Sequence, residues 1–80
     1  MKETEFSQEE LLVLQQVGEW GEEEVDILAS ELRISRSRIW HIVAGLHDKG
    51  LLLVDHSSWI ALSAKGRRLI SYLWPTAAIV

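Results

Sequence analysis

Ser35-Arg36-Ser37-Arg38 alternates hydroxyls with guanidiniums, His41 follows one turn later, and Lys65, Arg67 and Arg68 make a second basic cluster. A guanidinium carries a planar fork of donors that fits a phosphate or the edge of guanine bidentately. Serine hydroxyls and imidazole can donate to the same kinds of oxygen, most strongly for imidazole when protonated. The chemistry on offer is anion binding. The formal net charge of −4 hides how that chemistry is distributed. Residues 1–31 hold one lysine against ten acids, a net of −9, and residues 32–80 hold seven bases against two acids, a net of +5. Such a chain can turn a basic face to a polyanion while its acidic face stays in solvent.

Other chemistries find little support. There are no cysteines, which excludes disulfides, thiolate metal sites and cysteine nucleophiles. His41 and His47 are six residues apart, about 240° around a helix, so they do not share a metal site. His56 stands alone in a turn. The carboxylates crowd into an exposed run without the paired burial that acid–base catalysis needs. No glycine-rich phosphate loop or nucleophile elbow occurs. We expect no enzyme, no catalytic residue, no metal and no cofactor.

The elements that position the basic residues can be read from caps and periodicity. Ser7-Gln8-Glu9-Glu10 is a capping box that starts a first helix, and Phe6 and Leu11 have the spacing of a hydrophobic staple. Leu11, Leu14 and Val17, with Leu12 and Val13 beside them, form its apolar stripe, and Gly18 and Gly21 bracket its end. Glu22 to Glu24 reads as a solvated connection, with Val25 as a candidate one-residue strand and Asp26 as the N-cap of a second helix that stops near Arg33. Ser35 caps a third helix running to about Lys49, with Ile39, Ile42, Val43 and Leu46 on one stripe and Gly50 closing it. Leu51–Val54 and Trp59–Leu62 form a short hairpin around Asp55-His56-Ser57-Ser58. Ser63 caps a fourth helix to about Trp74, with Leu69, Ile70 and Leu73 toward the core, and Pro75 ends it.

Residues 28–54, LASELRISRSRIWHIVAGLHDKGLLLV, and residues 60–70, IALSAKGRRLI, resemble the winged helix-turn-helix superfamily of bacterial and archaeal repressors. The flavour is that of the MarR-type and iron-dependent-repressor-type regulators. The resemblance implies a mainly α (α+β) fold with a three-helix core, a wing of two to three strands and a C-terminal helix. It also implies double-stranded DNA as partner, with the third helix in the major groove. On that reading Ser35, Arg36, Ser37, Arg38, Trp40 and His41 face the groove, and Lys65, Arg67 and Arg68 touch backbone. Members of the group are dimers, which makes Leu12, Val13, Tyr72 and Trp74, with Ile79 and Val80, candidates for a homodimer surface. Two departures stand out. Arg33 occupies a turn position usually held by glycine, so it must adopt a left-handed conformation or alter the turn. The metal chemistry of iron-dependent repressors resides in a further domain and is not carried over.

Trp40 is the least typical of these residues. An indole on this helix can contact a base or sugar, dock against another protein, or fold back onto its own domain. The hairpin tip, Asp55 to Ser58, offers no fixed positive charge. These features make a winged-helix protein-interaction module the alternative function. At 80 residues, 48% of them hydrophobic and 25% charged, the chain is expected to be one globular domain over 1–80, folded over 6–75 with flexible tails at 1–5 and 76–80. The N-terminus has no signal-peptide pattern and no apolar run is long enough to span a membrane, so a cytoplasmic location is expected.

Overall fold

A computed structural model describes residues 6–74, and within them four helices stand against one small sheet. The order is α1 (Gln8–Trp20), β1 (Glu22–Glu24), α2 (Val25–Leu32), α3 (Arg36–Asp48), β2 (Leu52–Val54), β3 (Trp59–Leu62) and α4 (Ala64–Leu73). The fold is mostly helical α+β, with Cα extents of 30 × 29 × 22 Å. The expected tails at 1–5 and 76–80, and Pro75 as helix terminator, lie outside the described residues.

Local chemistry explains where each helix begins. At Ser7 both halves of the capping box form: the Glu10 amide donates to Ser7 Oγ at 3.1 Å and the Ser7 amide donates to Glu10 Oε1 at 2.9 Å. Ser35 and Ser63 cap α3 and α4 in the simpler way, accepting from the amides of Arg38 and Gly66. Helix α3 ends as its sequence suggests. Gly50 takes φ +78°, and the amides of Gly50 and Leu51 return to the carbonyls of His47 and Leu46.

The sheet is antiparallel throughout, in the order β1-β3-β2. Here the structure corrects the sequence reading. Glu22 to Glu24 is not a solvated connection but β1, in register Glu22 with Ala61, Glu23 with Ile60 and Glu24 with Trp59. A lone two-stranded hairpin is marginal in water, and a third strand on the free side of β3 gives the sheet an independent inner face. Val25 is the first residue of α2 rather than a strand, and its side chain is fully buried. Glu24, not Asp26, is the N-cap, because strand and cap need the same extended backbone (φ −84°, ψ 141°). Its carboxylate accepts from the Ile27 amide at 3.4 Å.

The core lies between the helices and the inner face of the sheet. Val13, Leu14 and Val17 of α1, Val25, Leu28 and Ala29 of α2, and Ile39, Ile42, Val43 and Leu46 of α3 meet Leu51, Leu52, Ile60 and Leu62. Each fully buried aliphatic side chain among them contributes about 1.5–3 kcal/mol of transfer free energy. The fourth helix is locked to the hairpin by backbone proximity. Ser63 Oγ donates to the Gly50 carbonyl at 2.6 Å and its amide donates to the Leu51 carbonyl at 3.0 Å. A Cβ at Gly66 would lie 2.2 Å from that Leu51 carbonyl oxygen, so only glycine permits this approach.

Candidate nucleic-acid interface

The α2–α3 turn sets the exposed ridge of α3. Arg33 takes the left-handed conformation (φ 60°, ψ 43°) as the C-cap of α2, and the Ile34 amide returns to the Ala29 carbonyl. A non-glycine residue in this region carries strain, which the buried stripe of α3 holds in place. With Ile39, Ile42, Val43 and Leu46 buried, helical geometry turns Arg36, Ser37, Arg38, His41 and Ala44 to solvent. The structure thus exposes four of the expected residues, with Ser37 and His41 on the outermost side of α3 and Arg36 and Arg38, about 160° apart, on its two flanks.

Two others depart from that picture. Ser35 is committed to capping, its hydroxyl accepting the Arg38 amide at 3.2 Å. Trp40 does not stand out as a free indole. It is half-buried and packs against the core, so of its three readings the folding back onto the domain accounts for much of the ring.

The arginines are not free either. Arg38 Nε donates to both carboxylate oxygens of Glu9, at 2.8 and 3.0 Å, and its Nη2 lies 2.7 Å from Glu9 Oε1. The hydrogen bond to Arg38 holds the Glu9 carboxyl below its ordinary pKa, and Glu9 raises that of Arg38 in return. Arg36 Nε lies 2.8 Å from Asp26 Oδ1. Arg36, Asp26 and Arg38 are exposed and Glu9 is half-buried, so these pairs are weak and exchangeable rather than fixed in a low-dielectric site. The sequence reading missed Glu9 and Asp26 as partners because nothing local links positions 29 and 10 residues apart.

The second basic cluster borders the C-terminal end of α3. Lys65 Nζ donates to the Lys49 carbonyl at 3.1 Å, at the negative end of the helix dipole. Lys49 itself reaches Glu10 Oε2 at 3.2 Å and lies 4.9 Å from the centre of the Phe6 ring. Arg67 makes one long bond to the Leu62 carbonyl at 3.4 Å, and Arg68 is exposed. The hairpin tip is shaped by Asp55, whose Oδ1 accepts from the amides of Ser57 and Trp59 at 2.8 and 3.1 Å.

The candidate dimer residues divide. Leu12 and Tyr72 are exposed, Tyr72 at 77%, and Trp74 is half-buried at the end of α4. Val13 is corrected: it is fully buried on the core side of α1 beside Leu14 and Val17 and cannot line a surface. Ile79 and Val80 lie outside the described residues.

Glu23 is a further polar residue that sequence reasoning left in solvent. Opposite Ile60 on the inner face of β1 it is 7% exposed, and its Oε1 has no hydrogen-bond partner among the described residues. Burial, and then the neighbouring charge of Glu31, raise its pKa above the ordinary carboxylate value. Glu31 accepts from the side-chain amide of Gln16. Among the described residues no group of three or more His, Asp or Glu side chains could hold a metal ion, and no helix is long and apolar enough to cross a membrane.

No family model matches the chain and no curated protein is similar to it. Among solved structures it is similar to the crystal structure of a protein from Sulfolobus solfataricus described only as hypothetical, with a TM-score of 0.73 and 24% sequence identity. The alignment covers 85% of this chain and 55% of that one, so this chain spans about half the length of its neighbour. At 24% identity the likeness is one of fold alone.

Proposed function

We propose that this chain is a winged helix-turn-helix domain of MarR-like or iron-dependent-repressor-like type that binds double-stranded DNA as a transcriptional regulator. In this reading α3 enters the major groove and β2 and β3 form the wing. The observation that carries the proposal is the exposed outer arc of α3, with Ser37 and His41 outermost and Arg36 and Arg38 on its flanks, which immediately follows a tight turn and is backed by a continuous buried stripe. Arg36 and Arg38 exchange their surface carboxylates for phosphate or a guanine edge on binding. Lys65, Arg67 and Arg68 supply backbone contacts. Five such cations per subunit give salt-sensitive binding that a homodimer would double, with exposed Leu12 and Tyr72 as its candidate contacts.

A second reading, a protein-interaction module with no DNA function, is favoured by one observation. Both groove-facing arginines are already neutralised by acids, and the Asp55–Ser58 tip carries no lysine or arginine. An amide NMR titration of the labelled chain with a mixed-sequence duplex separates the two. Shifts confined to residues 35–45 and 65–68 that fade with added salt support DNA binding. Absence of shifts at low salt removes that reading, and loss of a pull-down partner in Trp40→Ala, with circular dichroism unchanged, would then support the protein module.

A further inference from the structure

The outer face of the sheet is a separate surface that DNA binding by α3 does not use. Antiparallel register puts Glu22, Ala61 and Leu53 in one row across the three strands, with Glu24 and Trp59 paired in the next, all on the side away from Ile60 and the core. Leu53 is 57% exposed and Trp59 43% exposed, large apolar side chains that a three-stranded sheet normally covers or replaces with polar ones. A groove of about 320 Å³ there is lined by Glu22, Leu53, Val54, Asp55, Trp59 and Ala61, with the Ile60 strand segment between the last two.

Charge decides what fits there. The lining has an apolar floor and two carboxylates, Glu22 and Asp55, with Glu24 beside Trp59 and no lysine or arginine. A second copy docking by two-fold symmetry would bring like acids against each other, a cost the apolar contact would have to overcome. Nucleic acid and anionic lipid are repelled for the same reason. A segment that carries arginine or lysine beside leucine-sized side chains satisfies both the floor and the rim. We infer that the outer face of β1-β3-β2 is a docking surface for a cationic, apolar segment of a partner protein, seated on Leu53 and Trp59 and ion-paired to Glu22 and Asp55.

The test is a titration of the labelled full chain with a short synthetic peptide of alternating arginine and leucine, alongside a matched peptide of alternating glutamate and leucine. The basic peptide is expected to shift the amides of Glu22, Leu53, Trp59 and Ala61 and to change the tryptophan emission, with the acidic peptide at least about tenfold weaker. Leu53→Ser and, separately, Glu22→Lys should each weaken the basic peptide by about tenfold while circular dichroism stays unchanged. Three outcomes overturn the proposal: equal binding of the two peptides, peptide shifts confined to other surfaces, or no shifts at all. Shifts of the same amides on simple concentration of the chain would assign the face to a second copy, and shifts there on adding duplex DNA would assign it to nucleic acid. Either result also overturns it.

Discussion

On the α3 side, Arg36 and Arg38 each meet a carboxylate delivered by another helix, Asp26 at 2.8 Å and Glu9 at 2.7 Å, whereas on the sheet side Glu22 and Asp55 rim an apolar groove lined by no cation. The difference lies in who supplies the counter-charge. On α3 the molecule supplies it from its own acidic half, through exposed pairs that an anion of higher charge density can displace. On the sheet no groove residue supplies a cation: Glu22 and Asp55 are exposed to solvent, and only Asp55 Oδ1 is met, by the amides of Ser57 and Trp59. The net charge of −4 is therefore a poor guide to binding, because the acids of residues 1–31 are divided between masking the basic ridge and building an acidic face.

The largest effect should come from breaking the joint that holds both faces. Gly66→Ala puts a methyl group into the Leu51 carbonyl, which must displace backbone rather than a flexible side chain. It is expected to destabilise the fold by about 3 kcal/mol or more, read as a lowered denaturation midpoint. Because β2 and α4 separate together, duplex and peptide binding should both suffer. Retention of either one in a destabilised chain would show that the two faces do not depend on a common frame. A smaller and more selective effect is expected at Arg38. Arg38→Ala should weaken duplex binding about tenfold if the guanidinium contacts a base, and leave the arginine–leucine peptide unaffected. Glu9→Gln should act with the opposite sign, strengthening duplex binding severalfold by releasing Arg38 without touching the sheet. Equal affinity of Glu9→Gln and the parent chain, measured by fluorescence anisotropy at fixed salt, would mean that Glu9 does not mask the site.

Much of this arrangement was legible locally. The Ser7 capping box, the Ser35 cap, the α3 stripe and the Gly50 terminus are all signals contained within a few residues, and the structure has each where the pattern puts it. Uniform runs were where the reading failed, for a physical reason. Glu22-Glu23-Glu24 cannot show the alternation that marks a strand when all three residues are alike, so neither β1 nor the inward turn of Glu23 was visible. Leu11-Leu12-Val13-Leu14 has the same defect on a helix. Four consecutive apolar residues do not reveal their phase, so nothing local distinguishes Leu12, which faces solvent, from Val13, which is buried. The Glu9–Arg38 and Arg36–Asp26 pairs needed tertiary structure, since they join elements that no local pattern relates.

The smallest effect separates the two kinds of carboxylate by pH. Glu9 has a lowered pKa because Arg38 binds its charged form, so its contribution to stability is present above the unfolded value near 4.5 and is lost as pH falls through the folded one. Glu23 runs the other way. Burial and the Glu31 charge raise its pKa, so between the ordinary carboxylate value and the raised one the folded chain holds a proton that the unfolded chain has released. Stability from this group therefore falls as pH rises through that window, and the penalty persists at neutral pH, where an unpaired carboxylate oxygen stays buried. Glu23→Gln keeps the shape and removes the charge. It should raise stability at pH 7 by on the order of 1 kcal/mol and flatten the slope of stability against pH above about 4.5. Urea unfolding of parent and variant across pH 4 to 8 reads both quantities. A variant curve parallel to the parent's would mean that Glu23 reaches water when ionised, and the contrast between a masked basic ridge and an acidic sheet would then stop at the outer face.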